Sequence, residues 1–249
     1  MALNERVFEV VAARSGVAGP QAGTLETLRE LQDVPVLSET LLRVELMVRE
    51  RSVDLREIST VVLSDLGATL QIMRLAGRED AFEDGRVPRI EDCISGLGVQ
   101  ACLEAIARRP LKPSTRPPAV IDTWAHARII AENCKFLAEE TSSFLVNPDE
   151  AYLVGLFHEL GTLPAILGWN RSFAVPADPA VAGLRMAQAW SLPACVAEYF
   201  SELRSHAAGH RWSAVVEQAH PDAQYAPSTA APGDHRPMQT RSAVSLQLA

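Results

Sequence analysis

The dipeptide His158-Glu159, near the end of an apolar predicted helix, is the clearest candidate for chemistry in this chain. An imidazole beside a carboxylate offers a metal ion one nitrogen and one oxygen donor. A second histidine, His126, lies on the preceding predicted helix, and the helices of a bundle can bring such side chains together. These three residues predict a divalent-metal site. The alternative is a buried, hydrogen-bonded histidine beside a carboxylate at a helix end.

The charge of the chain argues against some classes of partner. Acidic residues outnumber basic ones by 31 to 23, which gives a net charge of −8. A protein of that sign has no general attraction for nucleic acid or for anionic lipid surfaces. Basic residues cluster locally at Arg108, Arg109, Lys112 and Arg116. We interpret this run as a solvated helix end.

The apolar pattern and the cysteines indicate a soluble protein of a reducing compartment. No segment has the roughly 20 uninterrupted apolar residues that span a bilayer, and the N-terminus does not have the pattern of a signal peptide. The four cysteines form no C-x-x-C pair, so we expect buried free thiols. These features predict a cytoplasmic location.

A helical period runs through most of the sequence, and no stretch predicts a strand. Asp54, with Glu57 three residues later, predicts one helix start, and Asn147-Pro148 predicts another. Four prolines among residues 110–118 exclude a helix interior and predict a linker. From about residue 213 the chain is rich in Ala, Pro, Ser, Gln and His. We expect a disordered tail there.

Several segments in order along the chain resemble the HDOD family, a group of bacterial regulatory domains related to the HD phosphohydrolases. The pair Trp124 and His126 belongs to this resemblance, as does Val34-Pro35. The longer matching segments are LSDLGATLQIMRLA at 63–76, VPRIEDCISGLG at 87–98, AYLVGLFHELG at 151–161 and WSLP at 190–193. The matches extend from about residue 28 to about residue 205.

The resemblance implies an all-α fold of two helical lobes, the second similar to the HD phosphohydrolase bundle. We therefore expect an N-terminal helix and loop over 1–27, an HDOD-like domain over 28–212, and a tail over 213–249. Within the domain we expect a helical lobe over 28–109, the linker over 110–118, and the HD-like lobe over 119–212.

The candidate site departs from the HD phosphohydrolase pattern that the resemblance implies. Its dyad is His158-Glu159, with a carboxylate one methylene longer than in His-Asp, and no aspartate lies in the stretch 192–210 that follows Trp190. Loss of a ligand or its support lowers metal affinity by about 10–100-fold. We therefore interpret His126, His158 and Glu159 as the remnant of an HD-type pocket, with no catalytic residue and no bound cofactor expected.

These observations favour a non-catalytic regulatory module that acts through protein–protein or small-ligand binding. Its partner would be a protein of a bacterial signalling pathway or a second copy of the chain. The alternative is a weak metal-dependent phosphohydrolase acting on a nucleotide or cyclic nucleotide. Binding of a nucleotide without hydrolysis, and binding of a divalent metal, both stay open at this point.

Overall fold

The computed structural model describes residues 34–49, 54–78, 89–108, 110–111, 118–140, 146–169, 175–205 and 210–223. Within these ranges the chain is almost entirely helical, which confirms the all-α prediction. The predicted N-terminal segment over 1–27 lies outside the described residues. None of the described helices has the length and apolar content that a membrane crossing requires.

The first lobe is built from short helices whose apolar faces meet in one core. Asp54 caps α2 by accepting from the backbone N–H groups of Arg56 and Glu57, which confirms the helix start predicted from sequence. The elements are β1 (Val36–Leu37), α1 (Ser38–Arg49), α2 (Leu55–Leu63), α3 (Leu66–Arg78), α4 (Ile90–Leu97), α5 (Val99–Ala107) and β2 (Pro110–Leu111).

The second lobe is arranged around one long helix, α6, which packs along α7 and α11. Asn147 caps α7 as predicted, with Pro148 in the first turn. The elements are α6 (Pro118–Glu140), α7 (Pro148–Phe157), a 3-10 turn (Leu160–Thr162), the single turn α8 (Leu163–Ile166), α9 (Pro179–Ala189), α10 (Ala194–Arg204) and α11 (Arg211–Ala223).

Three expectations from sequence need correction. Val36–Leu37 pairs in parallel with Pro110–Leu111, so part of the predicted linker is a strand; two residues are too few to show a strand period. The helical period predicted through most of the sequence is interrupted within 90–108 at Gly98, whose φ is +84°. The disordered tail predicted from residue 213 is wrong over 213–223, because α11 continues to Ala223. Residues 112–117 and 224–249 lie outside the described part of the chain.

The two lobes meet at the junction between α2 and α3. There the buried carboxylate of Asp65 accepts hydrogen bonds from residues of both lobes. Asp65 Oδ2 accepts from the N–H of Leu37, before α1. Leu63 lies two residues before Asp65, and its carbonyl accepts a hydrogen bond of 2.9 Å from the hydroxyl of Tyr152 on α7. The other donors to Asp65 are the N–H groups of Gly67 and Ala68, the hydroxyl of Thr40, and the indole Nε1–H of Trp124 on α6.

Replacement of Asp65 by asparagine tests this junction. In Asp65→Asn the side-chain oxygen can still accept hydrogen bonds from Gly67, Ala68 and Trp124. The side-chain NH₂ group then faces the Leu37 N–H. Two opposed buried donors should lower the free energy of unfolding by about 1–3 kcal/mol in urea denaturation.

The matched control is Asp54→Asn, at an exposed cap where asparagine is as good an N-cap as aspartate. This control should change the stability little. Equal stability losses in the two variants would contradict a special role for Asp65.

Candidate functional site

Three histidines from three helices of the second lobe meet in one cluster, which we call the histidine triad: His126, His158 and His220. His126 lies on α6, His158 is the C-cap of α7, and His220 lies on α11. The ring centroids are separated by 5.1 Å, 5.3 Å and 5.0 Å, so the imidazoles stand at the corners of a nearly equilateral triangle. One ligand nitrogen of each ring lies within 4.8 Å of the others.

Hydrogen bonds to backbone carbonyls fix two of the three rings. His158 Nδ1 lies 2.6 Å from the Gly155 oxygen, and His220 Nδ1 lies 2.7 Å from the Val216 oxygen. Since a carbonyl only accepts, we assign the proton of both rings to Nδ1, which leaves each Nε2 with its lone pair. This is the arrangement that commonly orients a metal-binding histidine.

The third ring makes a direct contact with the second. His126 Nε2 lies 3.3 Å from His158 Nε2. With the His158 proton on Nδ1, the hydrogen between the two rings belongs to His126 Nε2. Binding of a metal through this atom would therefore require His126 to carry its proton elsewhere.

His158 is the buried member of the triad, with 8% of its surface exposed. Burial lowers the pKa of His158 to about 3, and the nearby rings of His220 and His126 lower it further, against a smaller opposing effect of the Gly155 carbonyl. His158 is therefore neutral at physiological pH, as a metal ligand must be.

The third ligand depends on how α11 is held. Glu202 of α10 accepts from the backbone N–H groups of Trp212 and Ser213, so a side chain ten residues earlier caps the helix. Trp212 is fully buried. Asn133 of α6 donates to the Ala219 carbonyl at 3.0 Å, one residue before His220. These contacts fix α11 against α6 and place His220 in the triad.

The structure brings together two of the three predicted site residues. His126 and His158 meet, whereas Glu159 is not among the grouped ligands and forms the N-terminal boundary of the 3-10 turn. Sequence reasoning missed His220, because it assigned that residue to a disordered tail. The signal was present: apolar Trp212, Val215, Val216 and Ala219 have the spacing of a helix face.

The triad is compatible in geometry with a single transition-metal ion. Tetrahedral ligands at about 2.1 Å from a common ion lie about 3.4 Å apart, close to the 3.3 Å between His126 Nε2 and His158 Nε2. Three histidines are a known ligand set for zinc, and imidazole also suits copper, iron and nickel. Such an ion would supply positive charge and a coordination position for a further ligand.

A glycine makes the close approach of α6 and α7 possible. A Cβ placed on Gly155 would lie 2.7 Å from the Ala131 Cα and 2.9 Å from the Ile130 oxygen. These are backbone atoms, which cannot turn aside as a side chain can. The same glycine accepts the hydrogen bond of His158, so its position governs both the helix pair and the triad.

Comparison with known proteins agrees with this fold. Residues 34–174 match the family model of the HDOD domain. No curated protein sequence matches the chain. Among solved structures, the response regulator MmoQ of Methylococcus capsulatus (fragment 20–298) is similar, with a TM-score of 0.58 and 16% identity over 80% of this chain and 87% of that one. A second structure of MmoQ gives a TM-score of 0.58 and 16% identity over 77% and 86%.

Substitution of Gly155 by alanine should separate α6 from α7. We expect Gly155→Ala to lower the free energy of unfolding by about 1–3 kcal/mol, because the added methyl group meets backbone. Urea denaturation measures the change.

Gly96→Ala is the matched control, since Gly96 lies in α4 with nothing within 4 Å of a Cβ there. Alanine should raise stability at that helix position by about 0.5–1 kcal/mol. Similar effects of the two substitutions would contradict the close approach.

The lowered pKa of His158 predicts a pH dependence of stability. The folded-state pKa is about 3, below the unfolded value of about 6.5, so the unfolded chain binds the extra proton. The stabilising contribution is complete above about pH 6.5 and is lost as the pH falls towards 3. In the presence of a chelator, His158→Asn should reduce the slope of stability against pH by about 1 kcal/mol per unit between pH 5 and 6.

Urea denaturation at a series of pH values measures this slope. Above pH 7.5, where His158 no longer titrates in either state, the curves of the wild type and His158→Asn should run parallel. Parallel curves over the whole range from pH 5 to 8 would show that the burial of His158 does not control the pH dependence.

Proposed function

Because this chain belongs to the HDOD domain family, we propose that it is a signalling module that acts by binding, and that its histidine triad holds a single divalent transition-metal ion without hydrolysing a substrate. The observation that supports this proposal is the meeting of His126, His158 and His220, with ligand nitrogens within 4.8 Å of one another. The third nitrogen comes from a residue that sequence reasoning did not include. The proposal therefore departs from the expectation of a vacant remnant.

The ligand set favours binding over hydrolysis. Within the described residues, the group that could hold an ion contains three imidazoles and no carboxylate. Hydrolysis of a phosphate ester is commonly assisted by an acid or base beside the reacting water. Glu159, the predicted carboxylate, is outside that group. The residues of the triad would hold the ion, and their carbonyl partners Gly155 and Val216 would orient two of the rings.

A signalling module of this kind needs a protein partner, either another component of a bacterial pathway or a second copy of the chain. The family supports this role, and so does the fold shared with a response regulator. A strictly monomeric particle that recovers no specific protein from the cells that make it would argue against it.

Metal binding can be tested directly on the full chain. We expect metal-free protein to bind one Zn²⁺ or Ni²⁺ per chain in calorimetry, and a metal ion at 100 times its dissociation constant should stabilise the fold by about 2.7 kcal/mol. His220→Ala should weaken binding at least about tenfold, because one of three ligands is lost.

His210→Ala is the matched control, since His210 precedes the same helix but bonds to the Ser205 carbonyl outside the triad. It should bind as the wild type does. Failure of the wild type to bind these ions at micromolar concentration would refute the metal proposal. Turnover of a nucleotide or cyclic nucleotide by the loaded protein, lost in His220→Ala, would instead establish the phosphohydrolase alternative.

A further inference from the structure

The residue that precedes α11 does not cap this helix. It is His210, whose imidazole lies 3.2 Å from the Ser205 carbonyl instead of turning back onto the first turn. Ser, Thr, Asp and Asn cap helices well, because their short side chains reach the free N–H groups there. An isolated helix of 13 residues is marginal in water even for a favourable sequence. The helical form of α11 therefore depends on contacts with other elements.

Two carboxylates of α10 supply the cap from outside the helix. Glu202 Oε2 accepts from the N–H groups of Trp212 at 2.9 Å and Ser213 at 2.8 Å. Glu198, one turn earlier, accepts at 2.9 Å from the Trp212 indole and at 2.6 Å from the Arg211 guanidinium. All four hydrogen bonds end on the first three residues of α11, so the formation of this helix and its docking on α10 are one event. Glu198 and Arg211 are half exposed, and ion pairs of that exposure contribute little stability.

The C-terminal half of α11 is held mainly by packing. Val215, Val216 and Ala219 are buried, and Asn133 of α6 donates to the Ala219 carbonyl. The His220 ring bonds to the Val216 carbonyl of its own helix. Among the described contacts, no hydrogen bond joins this ring to α6 or α7. A metal ion bound by all three rings of the triad would therefore join this end of α11 directly to both helices.

We propose that α11 is a latch that the metal ion closes. This inference rests on the proposed metal site. Without metal, α11 opens from α6 and α10 while the rest of the fold stays closed, as proteins commonly open in parts before they unfold completely. The closed form offers three histidine ligands and the open form two, so the ion shifts the equilibrium towards the closed form. The metal ion thus controls whether the buried face of α11 is covered.

Hydrogen–deuterium exchange of the full, chelator-treated chain tests the opening. The amides of residues 215–219 should exchange through an opening whose equilibrium constant is at least about tenfold larger than that of α3. Its dependence on urea should be weaker, because a partial opening exposes less surface than complete unfolding. Equal opening constants and equal urea dependence in the two helices would show that α11 unfolds only with the whole domain, which overturns the proposal.

Variants of α10 test the external cap in the same measurement. Glu202→Ala removes the acceptor of two helix N–H groups and should raise the opening constant of α11 at least about tenfold. Glu202→Gln keeps an acceptor oxygen and should have a smaller effect. The matched control is Glu217→Ala, which removes an exposed glutamate of α11 itself and should change the opening constant little. Equal effects of Glu202→Ala and Glu217→Ala would overturn the role of α10 in the latch.

The effect of metal is measured with Zn²⁺ or Ni²⁺ at 100 times the dissociation constant from calorimetry. The ion should slow exchange of residues 215–219 at least about tenfold, because the open form lacks one of three ligands. This slowing should be absent in His220→Ala. An ion that binds without slowing these amides overturns the latch and leaves the metal site standing. Absence of metal binding refutes the metal site and metal control together, whereas the chelator-treated chain still shows whether α11 opens by itself.

Discussion

The carboxylate of Asp65 accepts hydrogen bonds from both lobes, and the packing of α1, α3 and α6 depends on it. Burial raises its pKa, while hydrogen bonds from the N–H groups of Leu37 and Ala68, the Thr40 hydroxyl and the Trp124 indole lower it. Desolvation of a carboxylate costs several kcal/mol, and each hydrogen bond to a charged group returns about 1.5–3 kcal/mol. The buried carboxylate is therefore stable only when α1, α3 and α6 all supply their hydrogen-bond donors. The junction thus favours one packing arrangement of these helices.

Much of the fold could be predicted because its signals are local. Asp54 and Asn147 cap helices whose first residues follow immediately, and the apolar period of each helix is contained within its own sequence. The start of α11 could not be predicted in this way. Its cap, Glu202, belongs to another helix, and its anchor, Trp212, acts through burial. Both depend on contacts that exist only in the folded chain.

The candidate site likewise contains residues that could be predicted from sequence and one that depends on tertiary contacts. His126 and His158 were predicted as a pair because matching family segments contain them, and the structure places their Nε2 atoms 3.3 Å apart. Glu159 was chosen for its adjacency to His158, but the next residue along a helical backbone points about 100° away. His220 was missed because its helix was assigned to a disordered tail, although the apolar spacing of that helix is present in the sequence. Adjacency in sequence was therefore a poorer guide than the packing of three helices.

The histidine triad is connected to the contacts that join the lobes. Trp124, which donates to Asp65, lies on α6 two residues before His126 of the triad. Trp190, at the C-terminal end of α9 in the second lobe, lies against the guanidinium of Arg74 from α3. Since α6 cannot shift without disturbing an interlobe contact, the relative position of the lobes constrains the triad.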